Sequence, residues 1–139
     1  VYHEKSCGAV VFRGKGRIRY LLLKYSAGHW DFVKGQIEEN ESEKDTVLRE
    51  LQEETGIINA KFIGDFRKTI NYSFKSRGRT IYKEVVYFLI HDNNNTEVKL
   101  SREHVAYQWL NYEQAMRRVT FQNAKNVLSE AHNFLKTKR

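Results

Sequence analysis

Residues 35–57 read GQIEENESEKDTVLRELQEETGI, and their charge and spacing decide how the rest of the chain is read. The segment holds seven glutamates and one aspartate against two bases, Lys44 and Arg49, a net of −6. The whole chain of 139 residues carries +7, so the remaining residues set 22 bases against 9 acids, a net of +13. Acids gathered inside a basic frame predict cations held by the acids and a polyanion held by the bases, because bare carboxylates would repel that polyanion. On composition alone, a solvated acidic helix among surface lysines is the competing reading.

Periodicity makes the segment a helix. Asn40 or Ser42 can cap it, each with an acid three residues on (Glu43, Asp45), and Gly56 is placed to end it in a left-handed conformation. Val47, Leu48 and Leu51 are its expected apolar stripe. Beside that stripe Glu50, Glu53 and Glu54 fall at i, i+3 and i+4 and so share one face. Like charges at these spacings each cost a few tenths of a kcal/mol, which lysine or glutamine would avoid. Hard divalent cations compensate such a face, since Mg²⁺ takes one or two carboxylates and fills its shell with water and phosphate oxygens.

Outward from the helix, CGAVVFR and IRYLLLKYS read as strands joined by the turn GKGR, and HWDFVKG as a short strand or loop. AKFIGDFRKTINYSF and RTIYKEVVYFLI read as two more strands joined by the basic turn KSRG. The polar loop HDNNNTE precedes a strand in VAYQWL, and helices follow over about 111–118 and 121–136, with KTKR as a solvated tail. The expected architecture is α/β, a mixed sheet with helices packed on it, in one domain spanning 1–139. No apolar run approaches the ~18 residues of a membrane span, and no leader sequence is read at the start. Cys7 is the single cysteine, so a disulfide framework is excluded; a buried thiol in a reducing cytoplasm is expected.

The full spacing is Gly35, five residues, Glu41, seven residues, Arg49-Glu50-Leu51, one residue, Glu53-Glu54, one residue, Gly56-Ile57. In this the chain resembles the Nudix hydrolase family, whose pattern G-x5-E-x7-R-E-U-x-E-E-x-G-U it matches at every defined position. The resemblance implies an α/β/α sandwich and Mg²⁺-dependent hydrolysis of a nucleoside diphosphate linked to another group, with Mn²⁺ as a substitute. It implies metal ligation by Glu50, Glu53 and Glu54 with Gly35, and orienting roles for Arg49 and Glu41. A pyrophosphate link resists attack because its oxygens repel the nucleophile; metal ions neutralise that charge and make hydroxide available near pH 7. The general base stays open between Glu50, Glu53 and a loop acid.

Outside this segment the chain looks like the asymmetric dinucleoside polyphosphate hydrolases of that family, through LLLKYSAGHWDFVKG, FRKTINY, LSREHVAYQWL and AHNFL in order. That likeness implies polyphosphate contacts from His29 and Lys34, a metal ligand from Glu103, an adenine clamp of Tyr72 and Phe121, and a further phosphate-binding base at Lys83 or Arg79. Each has a structural reading too: His29 a strand-end packing residue, Tyr72 and Phe121 core aromatics, Glu103 an acid paired with Arg102 or His104. The family commonly has proline at the positions of Val33 and Glu39 and glycine at that of Asn40. This chain contains no proline, which predicts a more mobile rim, although Asn40 tolerates a left-handed backbone.

Three functions are weighed. The first is cleavage of diadenosine tetraphosphate to ATP and AMP by a monomer with no membrane partner. The second is removal of pyrophosphate from an RNA 5′ end, which suits the +13 outside the acidic segment. The third, a noncatalytic RNA-binding domain, has no use for three clustered glutamates.

Overall fold

The computed structural model describes residues 2–95 and 97–137. Its elements run β1 (Tyr2–Arg13), β2 (Arg19–Tyr25), β3 (Trp30–Asp31), β4 (Val33–Gln36), α1 (Glu43–Thr55), β5 (Ala60–Ser76), β6 (Arg79–Asp92), β7 (His104–Leu110), α2 (Tyr112–Arg118) and α3 (Gln122–Thr137). The strands form one mixed sheet in the order β3-β2-β1-β6-β5, with β4 joined to β1 and β7 to β2. β1 lies parallel to β6 from Tyr2↔Ile81 to Phe12↔His91. Its other edge is shared: β4 takes residues 6–9 and β2 takes residues 12–13, both antiparallel.

Alternating side chains of the central strands feed two cores, which is why the sheet is covered on both faces. Val10, Tyr20, Leu22, Val85, Tyr87 and Leu89 pack with Ala124, Val127 and Leu128 of α3. Cys7, Ala9, Val11, Val86, Phe88 and Ile90 pack with Val47 and Leu51 of α1. This is the expected sandwich, and Cys7 is the expected buried thiol, its pKa pushed up to about 11 by burial.

Several boundaries differ from the sequence reading. β1 begins at Tyr2 rather than Cys7, because parallel pairing with β6 recruits the polar stretch YHEKS. β5 runs on to Ser76, past Phe74, through its pairing with Arg79. His91 and Asp92 extend β6 and are not loop; Asp92 is buried and paired to Arg13 at 2.8 Å. Lys136 and Thr137 continue α3, while Lys138 and Arg139 of the expected tail, like Thr96 of the loop, lie outside the described residues.

α1 starts at Ser42, where Ser42 and Asp45 form a reciprocal capping box, and ends at Gly56 with φ 77°. Asn40 is not the cap, but it adopts the left-handed conformation expected of it, φ 67°. Leu48 corrects the predicted stripe: it is exposed, and the buried face consists of Thr46, Val47, Leu51 and Thr55 with Glu50 and Glu54. The stripe is thus rotated toward the glutamates and carries two of them inward.

Candidate active site

α1 and β4 meet where their side chains leave least room. A Cβ added at Gly35 would fall inside the carboxyl group of Glu50, so glycine is what lets the helix glutamate lie against the strand. Glu50 is 8% exposed, and desolvation, with help from Glu54 and Glu53, lifts its pKa from 4.5 to about 7 against the opposing pull of Arg49.

Arg49 binds the acidic segment together. Its Nε donates to Glu41 at 2.6 Å, Nη1 to Glu50 at 2.7 Å and Glu53 at 3.4 Å, and Nη2 to the Gln36 carbonyl at 3.0 Å. Glu41, held low at about 2 chiefly by Arg49, also accepts from the Thr46 hydroxyl and the Glu38 amide. Glu41 therefore touches the helix glutamates through Arg49, and Arg49 with Thr46 fixes the loop after β4 to α1. The orienting roles expected of this pair fit that geometry. Lower on α1, Glu43 bridges Lys5 at 2.7 Å and Arg67 at 2.7 Å, tying the first turn to β1 and β5.

Glu54 points elsewhere. It is 5% exposed, accepts from the Ser101 hydroxyl and lies 2.8 Å from His104 Nδ1. Burial pushes the His104 pKa down against the pull of Glu54 and Glu103. Tyr25 packs against this imidazole edge-on, with ring centroids 4.3 Å apart, and His104 Nε2 has no partner among the described residues. Sequence reasoning missed Ser101 and His104, 47 and 50 positions beyond Glu54; the two hydroxyl and imidazole groups within SREH were the available signal. The Glu103 side chain is exposed on the same turn, close enough for its charge to raise His104 and Tyr25, and the turn is anchored by Ser26 donating to the Glu103 carbonyl.

On the other face of the sheet, His29, Asp31, Lys34, Tyr72 and Phe121 line a cavity of about 560 Å³, closed below by Ile70 and Tyr87. Tyr72 and Phe121 are 38% and 50% exposed, so neither is a core aromatic. His29 lies between Tyr25, stacked at 4.6 Å, and Phe121, tilted at 5.3 Å. Lys34 Nζ sits 3.2 Å from the buried carboxylate of Asp31. Four of the five expected substrate contacts are thereby gathered. Lys83 is not: it neighbours Tyr72 but lines a separate cleft, paired to Glu4 at 3.3 Å, and Arg79 is committed to Tyr2. Asp31 is the residue here that sequence reasoning passed over, because an acid between two aromatic residues gives no periodic signal.

Glu50, Glu53 and Glu54 supply only oxygen donors, two of them desolvated and mutually repelling, which fits a hard divalent cation. In this conformation they turn to Arg49, Ser101 and His104, and among the described residues no three His, Cys, Asp or Glu side chains converge as ligands.

Comparison with known proteins agrees with this geometry. The NUDIX domain family model matches residues 2–131. The asymmetrical bis(5′-nucleosyl)-tetraphosphatase of Sus scrofa is 39% identical over 94% of this chain and 95% of its own length, and that of Mus musculus 36% over the same shares. The crystal structure of a C. elegans Ap4A hydrolase binary complex superposes with a TM-score of 0.86 at 30% identity, covering 96% of this chain and 98% of that one.

Proposed function

Because this chain belongs to the Nudix family, we propose that it hydrolyses dinucleoside polyphosphates with a divalent metal ion, cleaving diadenosine tetraphosphate to ATP and AMP. One observation carries the reading: Lys34 and Gly35, consecutive on β4, line the aromatic cavity and seat Glu50 respectively. Successive strand residues face opposite ways about 3.8 Å apart, so the cavity and the carboxylate face adjoin across one short strand. A base held at one would place a phosphate of the same substrate at the other.

In this reading Glu50, Glu53 and Glu54, with the Gly35 backbone and Glu103, hold Mg²⁺, for which Mn²⁺ substitutes. The bound ion supplies charge neutralisation at phosphate and a water of lowered pKa. Arg49 and Glu41 fix the direction of Glu50, and Ser101 and His104 that of Glu54. Tyr72 and Phe121 hold one adenine by its faces, with His29 at the cavity wall. Water's proton goes to Glu50, Glu53 or Glu103. Every group invoked comes from one chain, so we take a monomer as the acting unit. With its reduced, buried Cys7 and, among the described residues, no helix long and apolar enough to cross a membrane, we place it in the cytoplasm.

The exposed hairpin bases Lys75 and Arg77 favour a second substrate, the triphosphate end of RNA. The test is incubation of the pure protein with Mg²⁺ and a panel of dinucleoside polyphosphates, triphosphate-ended RNA, nucleotide sugars and nucleoside triphosphates. In ¹⁸O water, diadenosine tetraphosphate should give ATP and labelled AMP. Two ADP would exclude the asymmetric reaction, RNA as the one substrate turned over would favour the second reading, and turnover of nothing would leave a binding domain.

A further inference from the structure

The cavity that holds Tyr72 and Phe121 has an unexpected floor. Its walls are flat and apolar, from Ile70, Tyr72, Phe74, Tyr87 and Phe121, yet Asp31 lies at the base, 3% exposed. A carboxylate is costly to bury and would repel a polyphosphate, so a pocket for phosphate alone would be better served by Lys34 without it. The two charges are also placed by the backbone and not merely by chance contact of long side chains. β3 pairs Asp31 with Leu23, and β1 offers Gly8 beneath Lys34, where an added Cβ would lie 2.7 Å from Lys34 Cβ. Gly8 therefore leaves room for the lysine stem, which ends on Asp31.

The acceptor capacity of Asp31 is only half used. Oδ1 accepts the Phe32 amide at 2.7 Å and Oδ2 the Lys34 ammonium at 3.2 Å, while a carboxylate offers about four acceptor positions. Lys34 likewise keeps donors in hand. The floor thus presents an acceptor beside a donor, the complement of an amino group next to a ring nitrogen.

We propose that Asp31 is a specificity-determining residue, whose carboxylate, backed by Lys34, accepts a hydrogen bond from the amino edge of the nucleobase stacked in this cavity. The inference rests on the dinucleoside polyphosphate reading and deepens it: the site selects bases that carry an exocyclic amino group. A hydrogen bond to a charged acceptor is worth at least about tenfold in affinity, and a site built to receive an N–H rejects an analogue lacking it.

The experiment compares diadenosine tetraphosphate with its analogue carrying unsubstituted purine in place of adenine, in wild type, Asp31→Ala and Asp31→Asn. Wild type should prefer the amino-bearing substrate at least about tenfold in kcat/KM, mostly through KM. Asp31→Ala should bring the ratio close to one; should that variant not fold, Asp31→Asn should lower it at least about threefold. A wild-type ratio below about threefold, or a ratio unchanged by the variants, would overturn the proposal while leaving the hydrolase reading in place. If neither compound is hydrolysed, the hydrolase reading fails, and calorimetric binding of ATP against purine riboside triphosphate applies the same criterion to Asp31.

Discussion

Replacing Glu50 by glutamine tests the electrostatics of the site without any substrate. In metal-free protein the Glu50 pKa is lifted from 4.5 to about 7, mainly by burial against β4. Between those values the folded protein keeps a proton that the unfolded chain has released, so stability falls as pH rises through this window and levels off above it. The rise corresponds to about 3 kcal/mol of folding free energy, with little solvent discount for a residue 8% exposed. His29, His91 and His104, all depressed by burial, work in the opposite direction below pH 6.5. They are common to both proteins and cancel in the comparison. Glu50→Gln keeps the shape beside Gly35 and removes the titration. In chelator, urea unfolding of the two proteins should coincide near pH 4.5. They should diverge by about 3 kcal/mol in favour of the variant by pH 8, roughly 10 °C in Tm. Saturating Mg²⁺ should then nearly close that gap, since a ligand at 100 times its Kd stabilises wild type by about 2.7 kcal/mol and the variant lacks that carboxylate. A difference between the two proteins that does not change from pH 5 to 8 would refute the account of a desolvated, ionisable Glu50.

Gly35→Ala should displace the Glu50 carboxyl and cut kcat/KM by more than ~100-fold, with circular dichroism showing whether the helix survives. Glu54→Gln should also cost more than ~100-fold in activity at saturating Mg²⁺, because its charge is lost from the cation site while Ser101 can still donate; retention of most of the wild-type rate would remove Glu54 from that site. Tyr72→Ala should raise KM about 5- to 150-fold with kcat little changed, as expected for loss of ~1–3 kcal/mol of base stacking; an unchanged KM would take Tyr72 out of the clamp.

What could be read without coordinates was whatever depends on near neighbours. Ser42, Asp45 and Gly56 mark the ends of α1 because capping acts over three or four residues, and the grouping of Glu50, Glu53 and Glu54 follows from helical pitch alone. Leu48 was misplaced because Thr46 and Thr55 fill the buried face and the helix is rotated by the seat that Gly35 provides for Glu50, a contact across 15 positions. His104 and Ser101 were invisible as partners of Glu54, since nothing in a run of sequence says which distant strand a carboxylate will meet. The surroundings of Asp31 and Lys83 were hidden for a related reason. Each is a charge whose role is set by one partner, Lys34 in the cavity for the first and Glu4 on β1 for the second. The extension of β1 to Tyr2 was hidden by side chains that alternate poorly, because parallel pairing and not an apolar pattern orders them.

That parallel union has a consequence for how the protein is made. Tyr2 and its neighbours bond to residues about eighty positions later, so β1 leaves the ribosome long before the strand that pairs with it. Until residue 92 has emerged, Val10, Val11 and Phe12 have no parallel neighbour and offer an unpaired apolar edge to whatever is close. The β5–β6 hairpin can close early through local pairing, whereas union of β1 with β6 waits on a long loop closure. A pause in synthesis before residue 92 should therefore favour aggregation of the nascent chain more than a pause after it.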